Sequence, residues 1–200
     1  MSRRPGCTVV MVAALSFWLG TPAWAQQSSL SFHLGYFALR GEDTRIVDDV
    51  IVENLGLFAF DLDQFNGATV GAEWLVGLGD YVEVGLGVGV YQQTVLSVYD
   101  DFVNADGTEI EQDFKLRVTP FTATARFFPF GQRSTIQPYA GAGVGFFNWR
   151  YSEVGEFIDF STFDLEVFRD QFVADGNDVG AVYLGGVRVL AGSRYGVGVE

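Results

Sequence analysis

Cysteine is almost absent from this chain of 200 residues, and the single one, Cys7, lies near the N-terminus. It precedes an apolar run, badly placed for a lipid-anchored start, and leaves with that run if the segment is removed. A mature chain without cysteine has no disulfide, no thiol nucleophile and no thiolate metal ligand. Histidine is nearly absent too, with His33 alone. Positive charge is scarce: 12 Lys and Arg face 25 Asp and Glu. Taking away Arg3 and Arg4 with residues 1–25 leaves 10 − 25 = −15 for residues 26–200. That balance argues against nucleic acid as a partner. Helix-forming runs of Ala, Leu, Glu and Lys are scarce as well.

The N-terminus has the order of an export signal. Arg3 and Arg4 supply positive charge, residues 9–19 are apolar except Ser16, and Ala23-Trp24-Ala25 has the small-x-small pattern of a cleavage site. The expected mature start is Gln26. A spanning helix needs about 20 apolar residues, and Gly20, Thr21 and Pro22 interrupt the run. Residues 1–25 are therefore read as a signal peptide and 26–200 as one β-barrel domain.

Glycine is abundant, at 25 residues, and aromatics make up 16%. They recur with period two, as in a two-faced strand. Seven segments follow the pattern. In the first, Leu30, Phe32, Leu34 and Tyr36 alternate with Ser31, His33 and Gly35. In the second, Val70, Ala72, Trp74 and Val76 oppose Gly71, Glu73 and Gly77. The third is cleanest: Val82, Val84, Leu86, Val88 and Val90 oppose Glu83, Gly85, Gly87 and Gly89. A fourth, about 114–128, sets Phe121, Ala123 and Ala125 against Thr122, Thr124 and Arg126, and Pro120 suggests a bulge or irregular start. The fifth sets Ala140, Ala142, Val144 and Phe146 against Gly141, Gly143 and Gly145. The sixth sets Ala181, Tyr183, Val187 and Val189 against Gly180, Gly186 and Arg188. The seventh sets Tyr195, Val197 and Val199 against Gly196, Gly198 and Glu200.

One face is thus apolar; the other holds glycine, hydroxyls, tyrosine and a few charges. Apolar outside and polar inside is the membrane-barrel signature, and a closed barrel leaves no edge amides unpaired in lipid. Val84, Leu86, Val88, Ala142 and Val144 are assigned to lipid, and Glu73, Glu83, Arg126 and Arg188 to a narrow lumen. Enclosed charges are costly unless paired, so at least one carboxylate is expected to meet a guanidinium across the lumen. The connections predict long loops at 41–65, 98–113 and 152–177 and short turns at 78–80, 131–135 and 191–193. That alternation fits long outer loops and tight periplasmic turns. Aromatics fall into two groups. Trp74, Tyr81, Phe127, Phe128, Phe130, Tyr139 and Tyr195 lie near the short turns. Tyr91, Tyr99, Phe146, Phe147, Trp149 and Tyr151 lie near the long loops. They are expected to form two interfacial belts.

Gln137-Pro138-Tyr139-Ala140-Gly141-Ala142-Gly143-Val144-Gly145 resembles the proline-tyrosine-glycine strand of small outer-membrane proteins with an OmpA-type or OmpW-type barrel. Leu184-Gly185-Gly186-Val187-Arg188 resembles the glycine-rich strand before their last hairpin. The resemblance implies an all-β, antiparallel, up-and-down transmembrane barrel of eight strands with both termini periplasmic. Seven strands are visible; an eighth and a terminal aromatic are not, so the expectation is a fragment.

Little here points to a reaction. His33 and Ser31 share a strand face, but no acid is placed to orient the imidazole, so a polar lumen residue is expected and no catalysis. The glycine runs lack GxGxxG spacing and a Lys-Ser/Thr ending. Acidic loops gather Asp61 and Asp63; Asp100, Asp101, Asn104 and Asp106; and Asp175, Asn177 and Asp178. None has the spacing of a calcium loop, and neither metal nor cofactor is expected. They are read as solvated loops open to an extracellular ligand or, through divalent ions, to lipopolysaccharide. The expected partners are membrane lipid, lipopolysaccharide and the barrel-assembly machinery. The expected role is structural or surface-interacting in the outer membrane; the alternatives are a narrow solute channel and a lipid-modifying enzyme.

Overall fold

The computed structural model describes residues 28–38, 51, 54–161, 165–192 and 195–200. The segment expected to be a signal peptide and much of the first expected loop lie outside these residues.

The period-two segments form seven antiparallel strands in one sheet: β1 (Ser28–Phe37), β2 (Gly67–Leu78), β3 (Val82–Val103), β4 (Glu109–Phe127), β5 (Ile136–Ile158), β6 (Val167–Ala191) and β7 (Tyr195–Val199). Each pairs with the next, in the order β1 to β7. The sheet curls until β1 and β7 face each other across a cleft, but it does not close. Cavities of about 570 and 410 Å3 lie along this seam, lined by residues of both strands.

Register carries the alternation from strand to strand. Leu30, Trp74, Leu86, Ala123, Val144 and Ala181 are successive cross-strand partners. This row faces outward, where Leu86 is 58% and Val144 60% exposed. Val84, Val88 and Ala142 have the same facing, Val84 only half-exposed. The row one residue on, Ser31, Glu73, Gly87, Thr122, Gly145 and Gly180, faces inward. An outward apolar belt results: residues 68–78 of β2, 82–90 of β3, 121–127 of β4, 136–146 of β5 and 179–189 of β6.

The second and third long loops are not loops. β3 and β4 run on until only residues 104–108 connect them, and β5 and β6 until only 159–166 do. Asp100 and Asp101 lie in β3, and Asp175, Asn177 and Asp178 in β6. The alternation between the ends of the sheet is therefore one of strand length, since residues 128–135 at the other end form a longer connection than 104–108.

In these extensions the faces exchange character. On β4, Ile110, Phe114 and Leu116 are buried inside, while Glu109, Glu111, Asp113, Lys115 and Arg117 face solvent. A strand segment flanked by water exposes charge and buries apolar side chains, the reverse of the belt.

The expected bulge at Pro120 is also absent. Pairing lapses opposite Thr119 and Pro120 but resumes unshifted, and the register of β3 with β4 slips only between Val98 and Val103. Proline donates no ladder bond, and Gly89 across the pair leaves room for its ring, since a Cβ there would lie 3.0 Å from Pro120 Cγ.

Candidate functional site

The interior has two storeys. The lower one, level with the apolar belt, brings together all four charges assigned to it by sequence. Alternation turns each of them inward, and curling closes the distance between non-adjacent strands. Arg126 Nη2 on β4 donates to Glu73 Oε2 on β2 at 2.6 Å, and Thr124 Oγ1 donates to Glu73 Oε1 at 2.9 Å. Arg188 Nη2 on β6 reaches both oxygens of Glu83 on β3, at 3.0 and 3.1 Å. Arg126 Nη1 lies 3.7 Å from Glu83 Oε1 and joins the two pairs. Glu200 was not assigned to the set, yet its Oε2 accepts from Arg126 at 2.8 Å and from the Tyr139 hydroxyl at 2.9 Å.

Glu73, Glu83 and Arg126 are each under a tenth exposed, so their mutual pairing offsets a large desolvation cost. Aromatic faces complete the shell, with Arg126 over Tyr139 at 5.3 Å and Arg188 over Phe128 at 4.8 Å. Glycine provides the space: a Cβ on Gly85 would overlap the Glu73 carboxylate.

The upper storey is apolar and was missed in the sequence. Part of the expected first loop folds inward over the extensions of β3, β4 and β5. Phe58, Phe60 and Leu62, with Phe65 at the end of a 3-10 turn (Leu62–Phe65), are all buried. Phe58 packs at a tilt against Tyr99 with centroids 4.2 Å apart and meets Phe114 edge-on at 5.0 Å. Phe60 meets Phe114 at 5.1 Å.

Backbone bonds fix this plug to the edge of β3: Ala59 N–H to Val98 O at 2.9 Å and Asp100 N–H to Leu57 O at 3.2 Å. The Tyr91 hydroxyl donates to the Phe65 carbonyl. On the far side Asn54 Nδ2 donates to Glu153 Oε1 at 2.6 Å and to Tyr151 Oη at 3.2 Å. Glu153 lies on β5 well past the belt, and burial pushes its carboxyl above the usual range despite the hydrogen bonds from Asn54 and Tyr151. Burial likewise raises the Tyr99 phenol. A period-two signal for the plug was present in Phe58, Phe60 and Leu62.

The plug corrects the second aromatic belt. Tyr91, Tyr99 and Tyr151 are buried inside, and Phe147 and Trp149 share their face; of that group Phe146 faces outward. Their odd numbers on β3 and β5 match those of the inward glycines, so parity already placed them inside. In the first group Trp74, Tyr81, Phe127, Phe130 and Tyr195 are exposed, whereas Phe128 is buried and Tyr139 turns to Glu200.

Ser31 and His33 line the larger cavity with Glu73, Arg126 and Arg188. Among the described residues no carboxylate is hydrogen-bonded to His33. The acidic cluster at the β3–β4 turn serves the turn itself. Asp106 accepts from the Thr108 hydroxyl at 2.7 Å and its N–H at 3.0 Å, which holds its carboxyl below the ordinary value. Among the described residues no three His, Cys, Asp or Glu converge in a metal-holding group. No known family model, curated protein or solved structure matches the chain.

Proposed function

We propose that the protein is an exported outer-membrane β-barrel of OmpA or OmpW type, with a structural or surface-interaction role and a lumen closed to solutes. One observation carries this reading: the outward apolar belt, and the exchange of facing on β4 where that belt ends. The belt is 7 residues tall on β4 (121–127) and 11 on β2 (68–78). A tilted strand crossing a bilayer needs about 9–11 residues. The end of the sheet at the β2–β3 turn is the periplasmic one, and the long extensions of β3 to β6 at the opposite end stand outside the cell.

β1 and β7 are the two open edges of the sheet, facing each other across the cavities of the seam, and a closed barrel is what a lipid environment demands of two open edges. Inside, ion pairs cross the lower storey and the plug fills the upper one, which favours a closed lumen over a channel. The extensions present an exposed surface to partners, and no reaction is assigned.

Folding into phosphatidylcholine vesicles tests the reading. With lipids brominated at graded depths, quenching of Trp74, 52% exposed on the belt, should be strongest for bromines in the acyl chains. Trp149 faces the interior and should be quenched little. Equal quenching of both, or no insertion, refutes the proposal.

A further inference from the structure

Positive charge is rare in this molecule, so its placement is informative. Of the lysines and arginines among the described residues, four are in ion pairs. Arg126 and Arg188 are spent inside; Arg133 pairs with Asp80 and Arg169 with Glu156. The other three, Lys115, Arg117 and Arg150, have no ion-pair partner among the described residues, are all exposed, and sit together. Arg117 and Arg150 are direct cross-strand partners on β4 and β5, and Lys115 is two residues along from Arg117 on the same face. Like charges placed opposite each other destabilise a sheet. Here they stand so in a chain of net charge −13. Asp175, the partner of Arg150 on β6, is not within ion-pair distance of it.

Their height on the sheet is equally specific. Phe121 and Phe146 are the last outward aromatics of the belt on their strands. Arg117 and Arg150 lie four residues beyond them, ~14 Å along the strand, or ~10 Å along the membrane normal at the tilt of such barrels. That is the level of the headgroups of the outer leaflet, and long cationic side chains can reach back toward it. Gln92 on β3 beside Arg117, Thr94 beside Lys115, and Asn148 bonded to Asn177 at 2.7 Å supply neutral hydrogen-bonding groups next to the cations, while Asp113 and Asp175 are the carboxylates nearest them along the outer face.

We infer that Lys115, Arg117 and Arg150 form a binding site for the phosphates of an outer-leaflet glycolipid that carries more than one phosphate. This deepens the outer-membrane reading and rests on it. Guanidinium groups bind phosphate bidentately. Two of them facing one another with an ammonium one row above suit two phosphates better than one. An acidic protein gains most from such a site, because its overall field repels an anionic leaflet.

The test uses the full chain folded in phosphatidylcholine vesicles, with its thermal midpoint followed as bisphosphorylated lipid A is added. The midpoint should rise with dose, and rise less with monophosphorylated lipid A. In K115Q/R117Q/R150Q the apparent affinity should fall at least about tenfold, ~1.4 kcal/mol, while folding in phosphatidylcholine alone is at least as favourable as that of the wild type. R169Q, which removes an exposed cation elsewhere, should leave the affinity as it was. Equal affinity of the triple variant, an equal loss in R169Q, or the same midpoint rise with inorganic phosphate would each overturn the site while leaving the barrel reading intact. Failure of the wild-type chain to enter vesicles would overturn both.

Discussion

Leu86 and Arg126 show the two environments that a single strand period separates. Leu86 points outward at the middle of the belt, and 58% of it is exposed. In a bilayer Leu86→Arg should cost about 2–4 kcal/mol, read from a folding titration in vesicles. Gly87→Ala acts differently, because its new methyl would lie 2.6 Å from Thr122 Oγ1 and must displace it. Equal tolerance of arginine at 86 and 87 would refute the facing. Arg126 is the hub of the interior network, so Arg126→Met strands Glu73, which is 6% exposed. The expected loss is about 3–5 kcal/mol, and Arg126→Met with Glu73→Gln should recover part of it. A double variant less stable than the single one would show that the pair is not the source of the cost.

At the scale of the element, the plug is the unit that can open. Its aromatic contacts predict that Phe58→Ala costs ~3–5 kcal/mol and speeds hydrogen exchange at Ala59, whose N–H is bonded to β3. Glu153 adds a pH dependence. Its folded-state pKa is raised, mainly by burial, so the folded protein binds the proton more tightly than the unfolded chain. Stability is then highest below the ordinary carboxylate range and falls as pH rises through the raised value. Glu153→Gln keeps an acceptor for Asn54 and should flatten that fall, visible as thermal midpoints from pH 4 to 8 that converge only at the acid end. A variant with the wild-type slope would remove Glu153 from the effect.

On the scale of the whole molecule, the predictions concern orientation and closure. A cysteine at Asp106 should react with an impermeant thiol reagent on intact cells, and one at Asp80, beside the β2–β3 turn, should not. The opposite pattern would invert the topology. In a planar bilayer the protein should show no steady conductance. Deleting residues 54–65 should leave the lower ion pairs still blocking the path. An open wild-type pore would favour the channel reading.

What the sequence determined by itself was facing. A period of two needs no partner to be read. It put Val84, Leu86, Val88, Ala142 and Val144 on one side and Glu73, Glu83, Arg126 and Arg188 on the other, and the structure has both sets so disposed. Strand order followed too, since neighbours in sequence paired. Strand ends, the contents of the interior and the company of each charge were decided by tertiary structure. Residues 98–113 and 152–177 looked like loops because polar residues break the apolar face, yet a strand that exposes its outer face to water needs those polar residues. Phe58, Phe60 and Leu62 looked like loop residues because the cavity that buries them exists only once β3, β4 and β5 have curled around it. Glu200 meets Arg126, and Arg117 stands opposite Arg150, through register and curvature. These long-range quantities are set by the balance of pairing, packing and twist across the whole sheet, and no local stretch of sequence encodes them.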